Sequence, residues 1–375
     1  MDSAERTRID NTLEQHHWRL YNLEIQVPHG DWLDPNLTEP AVQLALKDLL
    51  IGGDVAFDVG SNNGTLAMAM SRAVGPKGHV CAFEANPQIA RQCQRFLVYS
   101  GCGNVQLYNN AVYHTSNKIL PLYVSPNKVA DSLYYKVSET TIPVVSLALD
   151  DFVDDAKLTP RVVKMDIEGA EFDALMGFSR AIMRARPILI LEQQTDDDRC
   201  LQWLKERYYT AIDLYEYRAV NSLRELTRGA PGTDILYIPT ERLSTTCYQP
   251  PFDCVTVGKV ERDQLRWENE QTFLRSDAFS LSAGRYRFAA EFAATDAQKE
   301  LKVGVSDGSK RLFQYHGSTS WLSRVGRTWI IDLPRTLDVF VFFEFPTGND
   351  PSFEFSHIAI EKIAQFDNLR RRAWL

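Results

Sequence analysis

The stretch Val55-Ala56-Phe57-Asp58-Val59-Gly60-Ser61-Asn62-Asn63-Gly64 limits the folds open to this chain more than any other. The short apolar run Val55 to Val59 predicts a buried strand. Gly60 and Gly64 bracket a turn where a Cβ would be in the way. Thr65-Leu66-Ala67-Met68-Ala69-Met70 follows with strong helix formers, so the loop leads into a helix N-terminus whose unpaired N–H groups can face a ligand. The spacing is D-x-G-x-x-x-G. It is neither the G-x-G-x-x-G of a pyrophosphate cradle nor a Gly-Lys-Ser/Thr triphosphate loop. Roughly 20 residues later, His79-Val80-Cys81-Ala82-Phe83-Glu84 is a second apolar strand that ends in an acid. A carboxylate at that tip can accept from both hydroxyls of a nucleoside ribose.

Strand and helix signals then alternate. Ile89, Cys93, Phe96 and Leu97 mark one helical face, and Val105 to Tyr108 reads as a third strand leading to Asn109-Asn110-Ala111. Short β segments over Ile119–Val124, Ser132–Val137 and Thr141–Leu147 interrupt the rhythm and predict an excursion near the pocket. Strands over Arg161–Asp166 and Pro187–Leu191 end at Asp166 and Glu192. Asp196-Asp197-Asp198 reads as a cap on the next helix rather than a metal site. Ala211–Tyr217 and Asp234–Pro239 close the series. Upstream, Thr38-Glu39-Pro40 starts a helix with Val42, Leu44, Leu46, Leu49 and Leu50 on its apolar side, and Ile9, Leu13, Trp18 and Leu20 suggest a short leading helix. The pattern predicts an α/β fold, a mostly parallel sheet with helices on both faces.

Three blocks together resemble the FkbM-type methyltransferases over roughly residues 40 to 240. They are the strand–loop pair described above, Lys164-Met165-Asp166-Ile167-Glu168-Gly169-Ala170-Glu171, and Pro187-Ile188-Leu189-Ile190-Leu191-Glu192. The resemblance implies a Rossmann-like sheet whose final strand is antiparallel, S-adenosylmethionine (SAM) as cofactor, and methyl transfer to a hydroxyl. It also implies site roles. Asp58, Gly60, Ser61, Asn62, Gly64 and Thr65 would hold the methionine part, Glu84 and Ala85 the ribose, and Asn110 and Ala111 the adenine side. Asp166 would lie nearest the transferred methyl group. Ser132 matches a serine often kept by the family.

A sugar hydroxyl is a poor nucleophile, so a base is expected. The candidates are Asp166, Glu192 and Glu171, with His114 outside that set; Glu168 reads equally well as a core-edge residue, and Glu171 as an ordinary acid of a first helical turn. Two or three of these carboxylates could instead hold Mg²⁺, although the sequence contains no dedicated metal-ligand spacing, and His16-His17 reads as surface.

After about residue 245 the pattern changes. Tyr286, Phe288, Ala290 and Phe292 alternate, as do Leu301, Val303 and Val305, then Leu337, Val339 and Val341, then Phe353 and Phe355. Turn residues separate these runs, which predicts a β-sandwich, jelly-roll-like. The expected division is a leader over 1–36, a methyltransferase domain over 37–245 and a β-sandwich domain over 246–375. The loop Tyr315 to Trp321 has a composition suited to sugar faces, but Trp321 and Trp329 read more readily as core cover.

The net charge of −8 excludes an extended basic nucleic-acid surface. No apolar run predicts a transmembrane helix, and the charged start of the chain is no secretory signal. Six cysteines without C-x-x-C spacing suit a reducing cytoplasm, with Cys247–Cys254 as a pair on paper. The sequence therefore reads as a cytoplasmic SAM-dependent O-methyltransferase acting on a small-molecule or glycan hydroxyl, and a homo-oligomer is compatible with that reading. The rivals are an NAD-dependent oxidoreductase, disfavoured by the loop spacing, and a carbohydrate-binding protein with a vestigial methyltransferase fold.

Overall fold

The computed structural model describes residues 16–20, 23–27, 39–125, 130–214, 218–226, 232–243, 254–261, 264–268, 273–292, 300–309, 311–318, 328–333, 335–344 and 355–363. A hairpin of His16–Leu20 and Leu23–Val27 comes first. The leading helix expected from Trp18 and Leu20 is therefore replaced by a strand. Its partner, Leu23-Glu24-Ile25-Gln26-Val27, alternates apolar and polar with the period of two that a strand needs. Ile9 and Leu13 lie outside the described residues.

The main sheet follows. Helix α1 (Pro40–Leu49) has Pro at its first turn and leads into β1 (Val55–Val59). Then come α2 (Thr65–Val74), β2 (His79–Phe83), α3 (Pro87–Tyr99) and β3 (Val105–Tyr108). After the β excursion come α4 (Leu149–Ala156), β4 (Val162–Met165), α5 (Glu171–Met176) and α6 (Ser179–Ala185). The series ends with β5 (Ile188–Gln194), α7 (Arg199–Lys205), β6 (Tyr209–Asp213), β7 (Arg218–Ala219) and β8 (Gly232–Pro239). The strand order is β7-β6-β8-β5-β4-β1-β2-β3. Strands β3, β2, β1, β4 and β5 pair in parallel, and β8 is antiparallel to both β5 and β6.

Each face of this sheet carries its own core. Even-numbered β positions such as Ala56, Val80, Val162 and Ile190 meet α1, α2 and α3 through Leu44, Met70, Phe96 and their neighbours. Odd positions such as Phe57, Phe83, Val163 and Leu189 meet α4 to α7 through Phe152, Leu175, Ile182 and Leu201. Strands that are apolar on both faces are what a sheet covered on both sides requires.

Two expected strand limits shift for identifiable reasons. Strand β5 runs past Glu192 to Gln194 because its ladder with β8 continues to the Gln194–Gly232 pair, so Glu192 lies within a strand and not at its tip. Ser132–Val137 forms a turn and not a strand; only Ser132 bridges Tyr123. The Ser132 hydroxyl accepts the amides of Tyr134 and Tyr135, which diverts donors that a ladder would need.

From Cys254 onward every strand pairing is antiparallel. One sheet orders 254–261, 355–363, 284–292 and 328–333. The other orders 265–268, 273–276, 337–344, 300–306 and 311–318, with 279–281 also paired to 337–344. Inward residues of both sheets share one apolar cluster, including the expected Tyr286, Phe288, Val303, Val305, Val339 and Val341. The Trp321 loop and Cys247 lie outside the described residues, as do the side chains of Trp329 and Cys254.

This region docks on α1. Ile330 and Ile363 join the α1 side of the main core. Arg285, with a fully buried side chain, donates to both carboxylate oxygens of Asp48, and Lys47 Nζ lies 2.9 Å from Asp332 Oδ2. Removing one member of a buried pair strands the other charge. Arg285→Ala should therefore lower unfolding free energy by about 3–5 kcal/mol in urea titration, and Arg285→Met combined with Asp48→Leu should restore most of it. A loss below about 1 kcal/mol for Arg285→Ala would mean that the pair does not hold the two regions together.

Candidate active site

The carboxyl ends of β1, β2 and β4 open onto a cleft. Asp58, Gly60, Ser61, Asn62, Thr65, Glu84, Ala85, Asn110, Ala111 and Asp166, all expected site residues, line it. So do Glu39, Asp131, Leu133, Lys164 and Glu168, to which the sequence gave no site role. Three expected residues do not line it: Gly64, Glu171 and Glu192.

The glycine loop is fixed by the strands on either side. The amides of Gly60 and Ser61 both donate to the Phe83 carbonyl at 2.9 Å, and the Asp166 amide donates to Val59. Gly60 has φ +85°, and a Cβ there would fall 1.8 Å from the Asp166 carbonyl oxygen. Gly64 faces the other way. Its Cβ would meet Cys93 Sγ at 2.9 Å, so this glycine lets the start of α2 approach α3.

Glu84 has one backbone donor on each oxygen: Asn62 N–H on Oε2 at 2.9 Å and Asn86 N–H on Oε1 at 2.8 Å. Each oxygen keeps capacity for a further donor. Burial pushes this carboxyl up to about 7 against the pull of those two amides. Asp58 is buried, and its Oδ2 has no hydrogen-bond partner; burial pushes it to about 7 as well, with Lys164 acting the other way. Asn109 Nδ2 donates to the carbonyls of Glu84 and Ala85, so it shapes the turn, while its neighbour Asn110 faces the cleft.

Lys164 is the unexpected centre of the site. It stands third in β4, in register with Asp58 of β1, and its side chain is 1 % exposed. Its Nζ lies 3.0 Å from Asp234 Oδ1, 3.1 Å from Glu39 Oε2 and 3.7 Å from Asp166 Oδ2. Burial works against the ammonium, but Asp234, Glu39 and Asp166 outweigh it and hold its pKa well above the ordinary value. Asp166, Glu168 and Glu192 each offer an oxygen within 4.8 Å of one another. Glu192 is driven far above the carboxylate range by burial and then by Asp166, with which it shares a hydrogen bond. That shift favours its protonated form.

Glu171 is occupied elsewhere. Its carboxylate accepts the amides of Ile167 at 2.9 Å and Gly169 at 3.0 Å, clamping a loop in which Glu168 and Gly169 are both left-handed. His114 is exposed, lies outside the cleft and pairs with Asp173 at 3.0 Å. Asp198 occupies the N-cap position of α7, but its carboxylate serves Ser222 and Leu223, and Asp197 takes the Arg199 amide.

Burial raises Glu84, Asp58 and Glu168 to about 7 and Glu39 to about 8. The folded state thus binds protons that the unfolded state has already released, and this contribution to the stability of the free protein falls as pH rises from about 4.5 through about 8.

A sheet that is parallel from β3 through β5 and antiparallel from β8 through β7, with a glycine loop after β1 and an acid after β2, defines a methyltransferase-like α/β fold. Residues 58–211 match the methyltransferase FkbM domain; the strands from Cys254 onward lie outside the match. The hexuronic acid methyltransferase AglP of Haloferax volcanii is 29% identical over 139 residues, a match that spans 36% of this chain and 55% of that protein. Among solved structures, the FkbM methyltransferase of Methylobacillus flagellatus KT aligns at TM-score 0.33 and 17% identity, over 49% of this chain and 43% of that one. Fibrillarin of Aeropyrum pernix, solved with natively bound S-adenosyl-L-methionine, aligns at TM-score 0.36 and 11% identity, over 60% and 83%. Those structural likenesses are too loose to add to the sheet order and the domain match. Among the described residues no helix is long and apolar enough to cross a membrane.

Gly60→Ala should cost more than about 2 kcal/mol in denaturant titration, combining left-handed strain with the clash on Asp166. Gly53→Ala, at φ +96° in open space, should cost only the strain, about 1–2 kcal/mol. Equal losses at the two positions would contradict the close approach at Gly60.

Proposed function

We propose that the chain is a SAM-dependent O-methyltransferase that acts on a sugar hydroxyl. The observation that carries the reading is Glu84, a buried carboxylate whose oxygens are each aimed by one backbone amide and still able to accept, opposite the Gly60 loop. The residues fit the cofactor. The ribose hydroxyls would donate to Glu84. The loop Gly60–Gly64 would pass beneath the methionine part, and the unpartnered Asp58 Oδ2 would accept from its ammonium. When bound, SAM supplies an electrophilic methyl on a sulfonium.

The chain's own task is alignment and removal of the acceptor proton. We assign the base role to Asp166, with Glu192, whose shift favours the protonated form, orienting it. Lys164 beneath the cluster supplies positive charge that would otherwise call for a cation, so this account needs no Mg²⁺. The domain match and the similarity to a hexuronic acid methyltransferase support a sugar acceptor. We read residues 37–245 as the methyltransferase domain and 246–375 as a β-sandwich, jelly-roll-like. The buried free thiols Cys81, Cys93, Cys102 and Cys200 suit a cytoplasmic setting.

Calorimetric titration with S-adenosylhomocysteine tests the cofactor. Micromolar binding should weaken by at least about 1 kcal/mol in Glu84→Ala. The accepting forms of Glu84 and Asp58 are the carboxylates, and burial pushes both to about 7, so affinity should fall at least about tenfold between pH 8 and pH 6, and less steeply in Glu84→Ala. Asp166→Asn should retain binding while methyl transfer drops by about 10²–10⁴. Absence of binding by the wild type would overturn the methyltransferase reading in favour of a vestigial fold.

A further inference from the structure

Beside the acid cluster the chain builds a second surface that cofactor binding does not use. Segment 131–135 crosses from the cleft to the outside. Asp131 and Leu133 line the cleft, while Tyr134 and Tyr135 are 47% and 43% exposed. The turn is fixed from below by Ser132, a buried residue whose hydroxyl donates to the Glu168 carbonyl at 2.7 Å and accepts the amides of Tyr134 and Tyr135. The Tyr134 hydroxyl donates to Asp173 and lies 3.2 Å from the Tyr113 hydroxyl. The Tyr135 ring lies directly over Gly169, where a Cβ would fall 2.6 Å from the ring. Two exposed rings are thus locked to the loop that carries Glu168, one step from Asp166. Rings held in this way lose little rotamer freedom on binding and present apolar faces with a polar edge.

The charge around these rings is one-sided. The Tyr135 hydroxyl lies in the field of Glu171, Asp196, Asp197 and Glu168. Among the described residues, the basic side chains of this region are paired with acids: Lys136, next to Tyr135 in sequence, with Glu139 at 2.8 Å, Arg199 with Asp197 at 2.7 Å, and Lys164 with Asp234 and Glu39. A sugar bearing a carboxylate would meet like charge there, and would have to compete with acids for each of these described basic groups. A neutral pyranose would place its C–H face on the rings and its hydroxyl donors toward the acids.

We propose that Tyr134 and Tyr135 form the acceptor shelf, on which the ring of a neutral glycoside stacks with one hydroxyl directed at Asp166. The proposal rests on the methyltransferase reading and separates this chain from an enzyme selective for a hexuronic acid.

Saturation-transfer NMR on the S-adenosylhomocysteine complex tests it, with the methyl glycosides of glucose, galactose, mannose and rhamnose and the methyl glycoside of glucuronic acid as probes. At least one neutral glycoside should bind, and the glucuronide should bind at least about tenfold more weakly. Tyr135→Ala should weaken the neutral glycoside by about fivefold, Tyr135→Phe should preserve it, and both variants should bind S-adenosylhomocysteine as the wild type does. A preference for the glucuronide, an unchanged Tyr135→Ala, or no neutral glycoside bound would overturn the shelf while leaving the cofactor reading intact. Failure of the wild type to bind S-adenosylhomocysteine would overturn both.

Discussion

A single ammonium buried in the middle of a parallel sheet shapes the rest of this structure. Lys164 lies in β4 among Val162, Val163 and Met165, where a fourth apolar side chain would satisfy the core. A buried charge is strongly destabilising unless it is paired, so carboxylates must come to it from elsewhere in the fold. Glu39 comes from the start of α1, held in a left-handed conformation; Asp234 comes from β8; Asp166 comes from the end of β4 itself. Meeting that demand fixes where α1 begins and how β8 lies against β5. It also brings more carboxylates together than one ammonium can neutralise, and burial with the neighbouring Asp166 raises the pKa of Glu192. The result is a cluster in which Asp166, Glu168 and Glu192 lie close together at the carboxyl side of the sheet.

The same helix links this site to the C-terminal sheets. At its beginning α1 gives Glu39 to Lys164; toward its end Lys47 and Asp48 meet Asp332 and Arg285. Three turns of helix, apolar on the side facing the sheet, join a charge pair under the cleft to a charge pair under the C-terminal region. The additional sheets thus have a mechanical relation to the cleft even though they lie outside the family match.

Most of the fold was legible because its information is local. The apolar runs at Val55, His79, Val105, Val162 and Ile188 read as strands on their own composition, and the switch to period two after Cys254 marked the change of architecture. Gly60 and Glu84 were legible for the same reason, since each follows its strand directly. The Lys164 cluster was not, because its partners Glu39 and Asp234 join it only through tertiary packing. A lone lysine inside an apolar strand was the signal available. Glu171 and Gly64 have residue types that suit a site, but the structure places them beside the cleft: one clamps the Ile167–Gly169 amides and the other makes room for Cys93. The hairpin at His16–Val27 was missed because Trp18 and Leu20 were grouped with distant apolar residues instead of with the alternating strand that follows them.

The central claim is that the carboxyl ends of β1, β2 and β4 seat the cofactor with its sulfur beside Asp166. A crystal structure of the protein with S-adenosylhomocysteine tests this directly. The account predicts both ribose hydroxyls within hydrogen-bond reach of Glu84, the amino group at Asp58 Oδ2, and the thioether sulfur facing the Asp166–Glu192 pair. An adenosyl group bound away from Glu84, or a sulfur turned from Asp166, would contradict it.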